Sequence, residues 1–162
     1  MNVLFVGAHP DDEMSCLGTL LLYRRRGDKL SLVCATNGDK GISDDPSFPL
    51  AECARIRDLE MREVARELGA DYVCLGEPDE ALFDTWENRL KMIEAIRRAQ
   101  PDIVLTHFPQ DYNLDHTATS ALVFQSTLLA RRATGERVGV PLAEAFRPCL
   151  ASRRTPLARL LP

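Results

Sequence analysis

The chain has no apolar run of 18 residues, so no segment reads as a transmembrane helix. No basic leader and apolar h-region open it, so no signal peptide is read and a reducing, cytoplasmic setting is expected. Positive charge is not in excess. Lys and Arg total 20 against 24 Asp and Glu, for a net charge of −4 and a pI near 5.4. That balance argues against nucleic acid and anionic membrane as partners. Arg24-Arg25-Arg26 and Arg153-Arg154 are local exceptions, at a helix end and in the tail, and read as solvated surface. The five cysteines (Cys16, Cys34, Cys53, Cys74, Cys149) contain no CxxC pair, which excludes the usual sign of a disulfide framework or a thiolate zinc site. Repeats and low-complexity tracts are absent. Histidine is scarce, with three in all.

What is present is a single-domain length, 162 residues, with 45% hydrophobic and 27% charged residues. Strand-like and helix-period runs alternate. Strands are expected at Asn2–Ala8, Lys29–Ala35, Asp71–Leu75 and Ile103–Thr106. Helices are expected at about Ser15–Arg25, with Leu17, Leu20, Leu21 and Tyr23 as its apolar side, and Ala51–Leu68, with Ile56, Leu59, Val64 and Leu68 in helical spacing. Two more are expected at Trp86–Ala99, with Leu90, Ile93 and Ile96 inward, and about Asp115–Ala130. Gly27 and Gly69 suit helix ends, and Pro101 stops a third helix. The polar stretch from Thr36 to Pro49 is long enough to suspect function. Asp44-Asp45 and Asp79-Glu80 read as solvated loop charges, and the tail begins at Arg131. The alternation implies an α/β fold: a three-layer sandwich around a mostly parallel, Rossmann-like sheet.

In such a sheet, ligands bind at the carboxyl ends of the strands. The first strand runs directly into Ala8-His9-Pro10-Asp11-Asp12-Glu13, and the fourth into His107 and then Asp111-Tyr112-Asn113-Leu114-Asp115-His116. All three histidines therefore fall at one sheet edge. His9, Asp12 and His116 would leave one tetrahedral position of a zinc ion open, with Asp11 a neighbouring carboxylate able to act as base. Taken singly, His9 reads more readily as a satisfied loop histidine than as a ligand, and Asp11 and Asp12 as caps for the following helix. Three carboxylates here, with no GxGxxG loop, disfavour a dinucleotide pyrophosphate.

Ala8-His9-Pro10-Asp11-Asp12-Glu13 resembles the AHPDDE signature of the LmbE-like, or PIG-L, zinc-dependent N-deacetylases. Asn113-Leu114-Asp115-His116 is similar to that family's HPDH motif. Further similarity lies in Gly18-Thr19-Leu20, Thr36-Asn37-Gly38, Arg57-x-x-Glu60 and Ala143-Glu144-Ala145-Phe146-Arg147. The family removes acetyl groups from N-acetylglucosamine conjugates, including mycothiol, bacillithiol and glycosylphosphatidylinositol precursors. The resemblance implies zinc, or another divalent ion such as Fe2+, on His9, Asp12 and His116. It implies Asp11 as general base and then acid, and a sugar contact for Arg57, whose other reading is a surface arginine paired with Glu60. Asp115 would orient the metal-binding imidazole or cap the helix. The implied partner is a small amino-sugar conjugate, and a homo-oligomer stays open.

Two departures stand out. Asn113 occupies the place of the leading histidine of HPDH; it can donate to an oxyanion but cannot carry a titrating proton. His107 is the one spare histidine, with a backbone-bonded strand-end role the more expected. The single domain, 1–162, also looks shortened near residues 130–131, which touches substrate binding more than metal binding. An amidase of a thiol conjugate and a non-catalytic metal- or ligand-binding α/β module are the alternatives to an N-deacetylase.

Overall fold

The computed structural model describes residues 1–42, 47–137 and 147–150. Asp44, Asp45, Arg153 and Arg154, and residues 143–146 of the AEAFR-like stretch, lie outside them. Strand β1 (Asn2–Gly7) leads through a 3-10 turn (Asp12–Cys16) to α1 (Leu17–Arg26), β2 (Lys29–Thr36) and α2 (Leu50–Leu68). Then follow β3 (Asp71–Glu77), α3 (Trp86–Ala99), β4 (Ile103–Thr106), α4 (Leu114–Arg137) and β5 (Arg147–Leu150). The sheet is parallel throughout, in the order β3-β2-β1-β4-β5. The chain moves outward from β1 to β3, then crosses back to β4 on the other side of β1. This places a switch point between β1 and β4, where loops diverge and leave a crevice.

Period-two alternation feeds a core on each face of the sheet. Leu4 and Val6 of β1 and Val33 and Ala35 of β2 pack with Met92 and Ile96 of α3 and Leu122 of α4. Val3, Phe5, Leu30 and Leu32 point the other way, onto Leu20 and Tyr23 of α1 and Met61 and Leu68 of α2. The three-layer α/β expectation therefore holds. Helix ends follow local chemistry. Gly27 (φ 86°) and Gly69 (φ 63°) close α1 and α2 in the left-handed region. The Thr85 hydroxyl accepts the Asn88 N–H at the start of α3, and Gln100 ends it before Pro101.

Some expectations shift. β3 runs two residues past Leu75, and α4 passes through 130–131 without a break to Arg137. Leu59 and Leu90 are 52% and 49% exposed, and Leu21 is also exposed. Met61 and Met92 sit on the buried stripes of α2 and α3, and a residue two earlier lies about 200° round the helix. Among the described residues no helix is long and apolar enough to cross a membrane.

Candidate metal centre

The first loop is folded tightly onto the strand that delivers it. A side chain at Gly7 would meet Asp12 Cβ at 2.9 Å, so only glycine lets Asp12 lie back over β1. The His9 N–H then donates to Asp12 Oδ2 at 2.7 Å. Asp11 takes φ 111° and makes no side-chain cap bond, so helix capping does not explain it. A non-glycine residue there stores about 1–3 kcal/mol of strain. Its neighbours hold it: the Asp11 N–H donates to Glu13 Oε2 at 3.2 Å, and its carboxylate takes Arg57 Nη2 at 2.8 Å.

The second loop is a staircase of Asx turns. Asp111 Oδ1 accepts the Asn113 N–H at 2.9 Å, and Asn113 Oδ1 accepts the Asp115 N–H at 2.9 Å. The staircase delivers Asp115 and His116 on the first turn of α4. One nitrogen or oxygen of each of His9, Asp12 and His116 lies within 4.8 Å of the others. His116 Nε2 is 3.4 Å from Asp12 Oδ1, and His9 Nδ1 is 3.8 Å from Asp12 Oδ2. The other nitrogen of each ring already has a carboxylate. His9 Nε2 meets Asp115 Oδ2 at 2.9 Å, and His116 Nδ1 meets Asp111 Oδ2 at 3.2 Å. Carboxylate-backed imidazoles are the usual surroundings of metal-binding histidines. Asp115 itself is buried and accepts from the Glu80 and Leu82 N–H groups as well.

The electrostatics suit a cation. Burial pushes the Asp12 carboxyl up, but hydrogen bonds from His107 and His116 outweigh it and hold the group far below its ordinary range. His116 is raised, chiefly by its hydrogen bond to Asp12, with burial opposing. Metal binding requires the neutral imidazole, so a cation and a proton compete for His116. Asp11 is raised, mainly by burial, with the Arg57 charge opposing. Asp111 is lowered, first by the Asn113 N–H.

The structure thus brings His9, Asp12, His116, Asp11 and Arg57 together. Arg57 does pair with Glu60, at 2.5 Å, but it is not a surface residue: its side chain is 16% exposed, and Nη2 also donates to the Pro10 carbonyl and to Asp11. Asp115 contacts an imidazole as expected, and that imidazole belongs to His9. The Asn113 carboxamide oxygen serves the α4 start by accepting the Asp115 N–H. His107 Nε2 meets the Ala8 N–H at 2.9 Å, and it also lies 3.0 Å from Asp12 Oδ2 and stacks on His116. Asp79 is a correction. It is 6% exposed and accepts the Gly38 and Lys40 N–H groups, both at 3.1 Å, while its own N–H donates to Asp39. Glu80 is exposed and pairs with Lys40 at 2.7 Å. Asp111 was signalled in the sequence only by the alternation Asp111-x-Asn113-x-Asp115.

The profile of the PIG-L family, GlcNAc-PI de-N-acetylase, matches residues 4–127. Among curated relatives, the probable N-acetyl-alpha-D-glucosaminyl L-malate deacetylase 2 of Bacillus anthracis is 33% identical over 132 residues, 77% of this chain and 58% of the relative. Among solved structures, the N,N'-diacetylchitobiose deacetylase of Pyrococcus horikoshii superposes with a TM-score of 0.78 at 29% identity, over 91% of this chain and 59% of that one. The 4-carboxy-2-hydroxymuconate hydratase of Pseudomonas putida KT2440 gives a TM-score of 0.78 at 25% identity, over 93% of this chain and 64% of that one. The chain spans about three fifths of the length of the curated relatives it matches.

Proposed function

Because the chain belongs to the PIG-L family, GlcNAc-PI de-N-acetylase, we propose that it is a metal-dependent amide hydrolase removing acetyl from an N-acetylglucosamine-type substrate. The observation that carries this reading is the convergence of His9, Asp12 and His116 within 4.8 Å, with Asp11 beside them. Two similar proteins, the deacetylases of N-acetylglucosaminyl malate and of diacetylchitobiose, support it.

His9 through Nδ1, Asp12 through Oδ1 and His116 through Nε2 would hold the ion. Two imidazoles and one carboxylate suit zinc, and Fe2+ accepts the same set. Such an ion supplies Lewis acidity, polarising a carbonyl and lowering the pKa of water. Asp11 takes the proton of the attacking water on its carboxylate and returns it to the leaving amine nitrogen. Arg57 anchors that carboxylate and is the candidate contact to the sugar. Asn113 offers Nδ2 to the carbonyl oxygen as negative charge develops there. The substrate is a small amino-sugar conjugate.

The test uses the purified chain loaded with zinc and a panel of N-acetylglucosaminides, with acetate release as readout. Acetate released from a glucosaminide, and lost on chelation, is expected. No acetate from the whole panel at one equivalent of bound zinc overturns the reading. The hydratase similarity favours a second reading, in which the same centre adds water to an unsaturated acid. Loss of the ultraviolet absorbance of 4-carboxy-2-hydroxymuconate, without acetate release in the first assay, would select it.

A further inference from the structure

One imidazole outside the ligand triangle touches every segment that builds it. Val6 pairs with Thr106 across the switch point, so the next residue, His107, emerges beside Ala8. Thr106 Oγ1 donates to the Val6 carbonyl at 2.9 Å, pinning the strand end. His107 Nε2 lies 2.9 Å from the Ala8 N–H and 3.0 Å from Asp12 Oδ2. His107 Nε2 is thus wedged between the β1 backbone and Asp12. Its face stacks on His116, with centroids 3.9 Å apart and planes 12° from parallel.

The two oxygens of Asp12 are thereby made unequal. Oδ2 is engaged by the His9 N–H at 2.7 Å and by His107, while Oδ1 faces His116 Nε2 at 3.4 Å. We propose that His107 is a positioning residue of the metal centre. It turns Asp12 so that Oδ1 alone is presented to the ion, and it sets the ring plane of His116. The inference rests on the proposed ligand set. It assigns His107 no bond to the ion and no contact with substrate.

The test compares His107→Phe, which keeps a flat face for His116 but has no nitrogen, with His107→Gln, whose amide reaches Asp12 Oδ2. Zinc affinity is measured by chelator competition, the visible spectrum is recorded with Co2+, and thermal unfolding is followed in chelator. His107→Phe is expected to weaken zinc by about 10–100-fold, the usual effect of losing a partner behind a ligand. Its Co2+ spectrum shifts, and its unfolding temperature in chelator does not fall. His107→Gln recovers most of the affinity. Wild-type protein that binds no zinc fails the ligand set, and the inference with it. Wild-type protein that binds zinc, with His107→Phe within about two-fold of it, leaves the ligand set standing and overturns the role of His107 alone. Should His107→Phe not fold, His107→Asn, too short to reach Asp12, takes its place, and affinity equal to that of His107→Gln overturns the inference.

Discussion

Replacing Gly38 by alanine should damage the protein in two separable ways. Gly38 sits at φ 72°, where a Cβ costs about 1–2 kcal/mol. An added methyl would also stand 2.7 Å from Pro10 Cγ and 3.0 Å from both Cβ and Cγ of Arg57. None of these atoms is a flexible tip. Pro10 is a ring inside the loop that carries His9 and Asp12, and the start of the Arg57 side chain is fixed by α2. Overpacking of this kind costs about 1–3 kcal/mol, so Gly38→Ala should lose about 2–5 kcal/mol in all. Two other glycines separate the contributions. Gly69 has φ 63° and nothing within 4 Å of where a methyl would stand, so Gly69→Ala bears the conformational cost alone, about 1–2 kcal/mol. Gly18 has open space and lies in α1, so Gly18→Ala should be neutral or gain up to about 1 kcal/mol. Urea unfolding of the three variants measures the series. Equal losses for Gly38→Ala and Gly69→Ala would refute the close packing of the 36–41 loop on Pro10 and Arg57. In the zinc-loaded protein, Gly38→Ala should lower kcat through Arg57 and Asp11 while retaining the metal.

Asp11→Asn should keep full zinc occupancy and lose about 10²–10⁴-fold in acetate release, the worth of a positioned base; unchanged turnover at equal metal content would remove Asp11 from that role. Burial pushes the Cys16 thiol up to about 12, so at pH 8 iodoacetamide should modify it about 10²–10³-fold more slowly than an ordinary thiol. Mass spectrometry of the labelled peptide decides this, and labelling at the unfolded rate contradicts the burial. Asp84 is held below 3.8, first by its hydrogen bonds to Arg89. Because the folded value is the lower one, its stabilisation is present above pH 3.8 and lost as pH falls through the folded value. Asp84→Asn should cost up to about 1 kcal/mol at neutral pH. The difference from wild type should narrow as the pH is lowered; urea curves that stay equally far apart near pH 3 argue against a charge origin.

The sheet and most of its helices were legible because burial on both faces writes continuous apolar strands, and glycine and proline mark the ends. The layers and the shared edge for His9, Asp12 and His116 followed from that alternation. Which stripe of a helix faces inward was less legible: Leu59 and Leu90 obey the period but lie about 200° from the residues that meet the sheet. The partners of the centre were the least legible. His107 and Ala8 are 99 positions apart, and His9 and Asp115 are 106 apart. No local pattern encodes such contacts; they arise only when β4 is laid beside β1. Asp79 misled for a related reason. An acidic pair in a loop reads as solvated until the backbone N–H groups of Gly38 and Lys40 are brought to it from 39 to 41 positions away.

The carboxylates behind His9 and His116 have a consequence for ion choice. Both rings and Asp12 are already oriented by protein partners, so capture of an ion need not freeze them. Side-chain ordering costs about 0.5–1.5 kcal/mol each, and sparing it for three ligands is worth about 1.5–4.5 kcal/mol, or roughly ten- to two-thousand-fold in affinity. The donor set also discriminates. Two imidazole nitrogens and one carboxylate oxygen are a poor match for Ca2+ and Mg2+, which prefer oxygen ligands. Mg2+ and Ca2+ would thus be disfavoured by donor type, leaving the candidate centre to ions that favour imidazole.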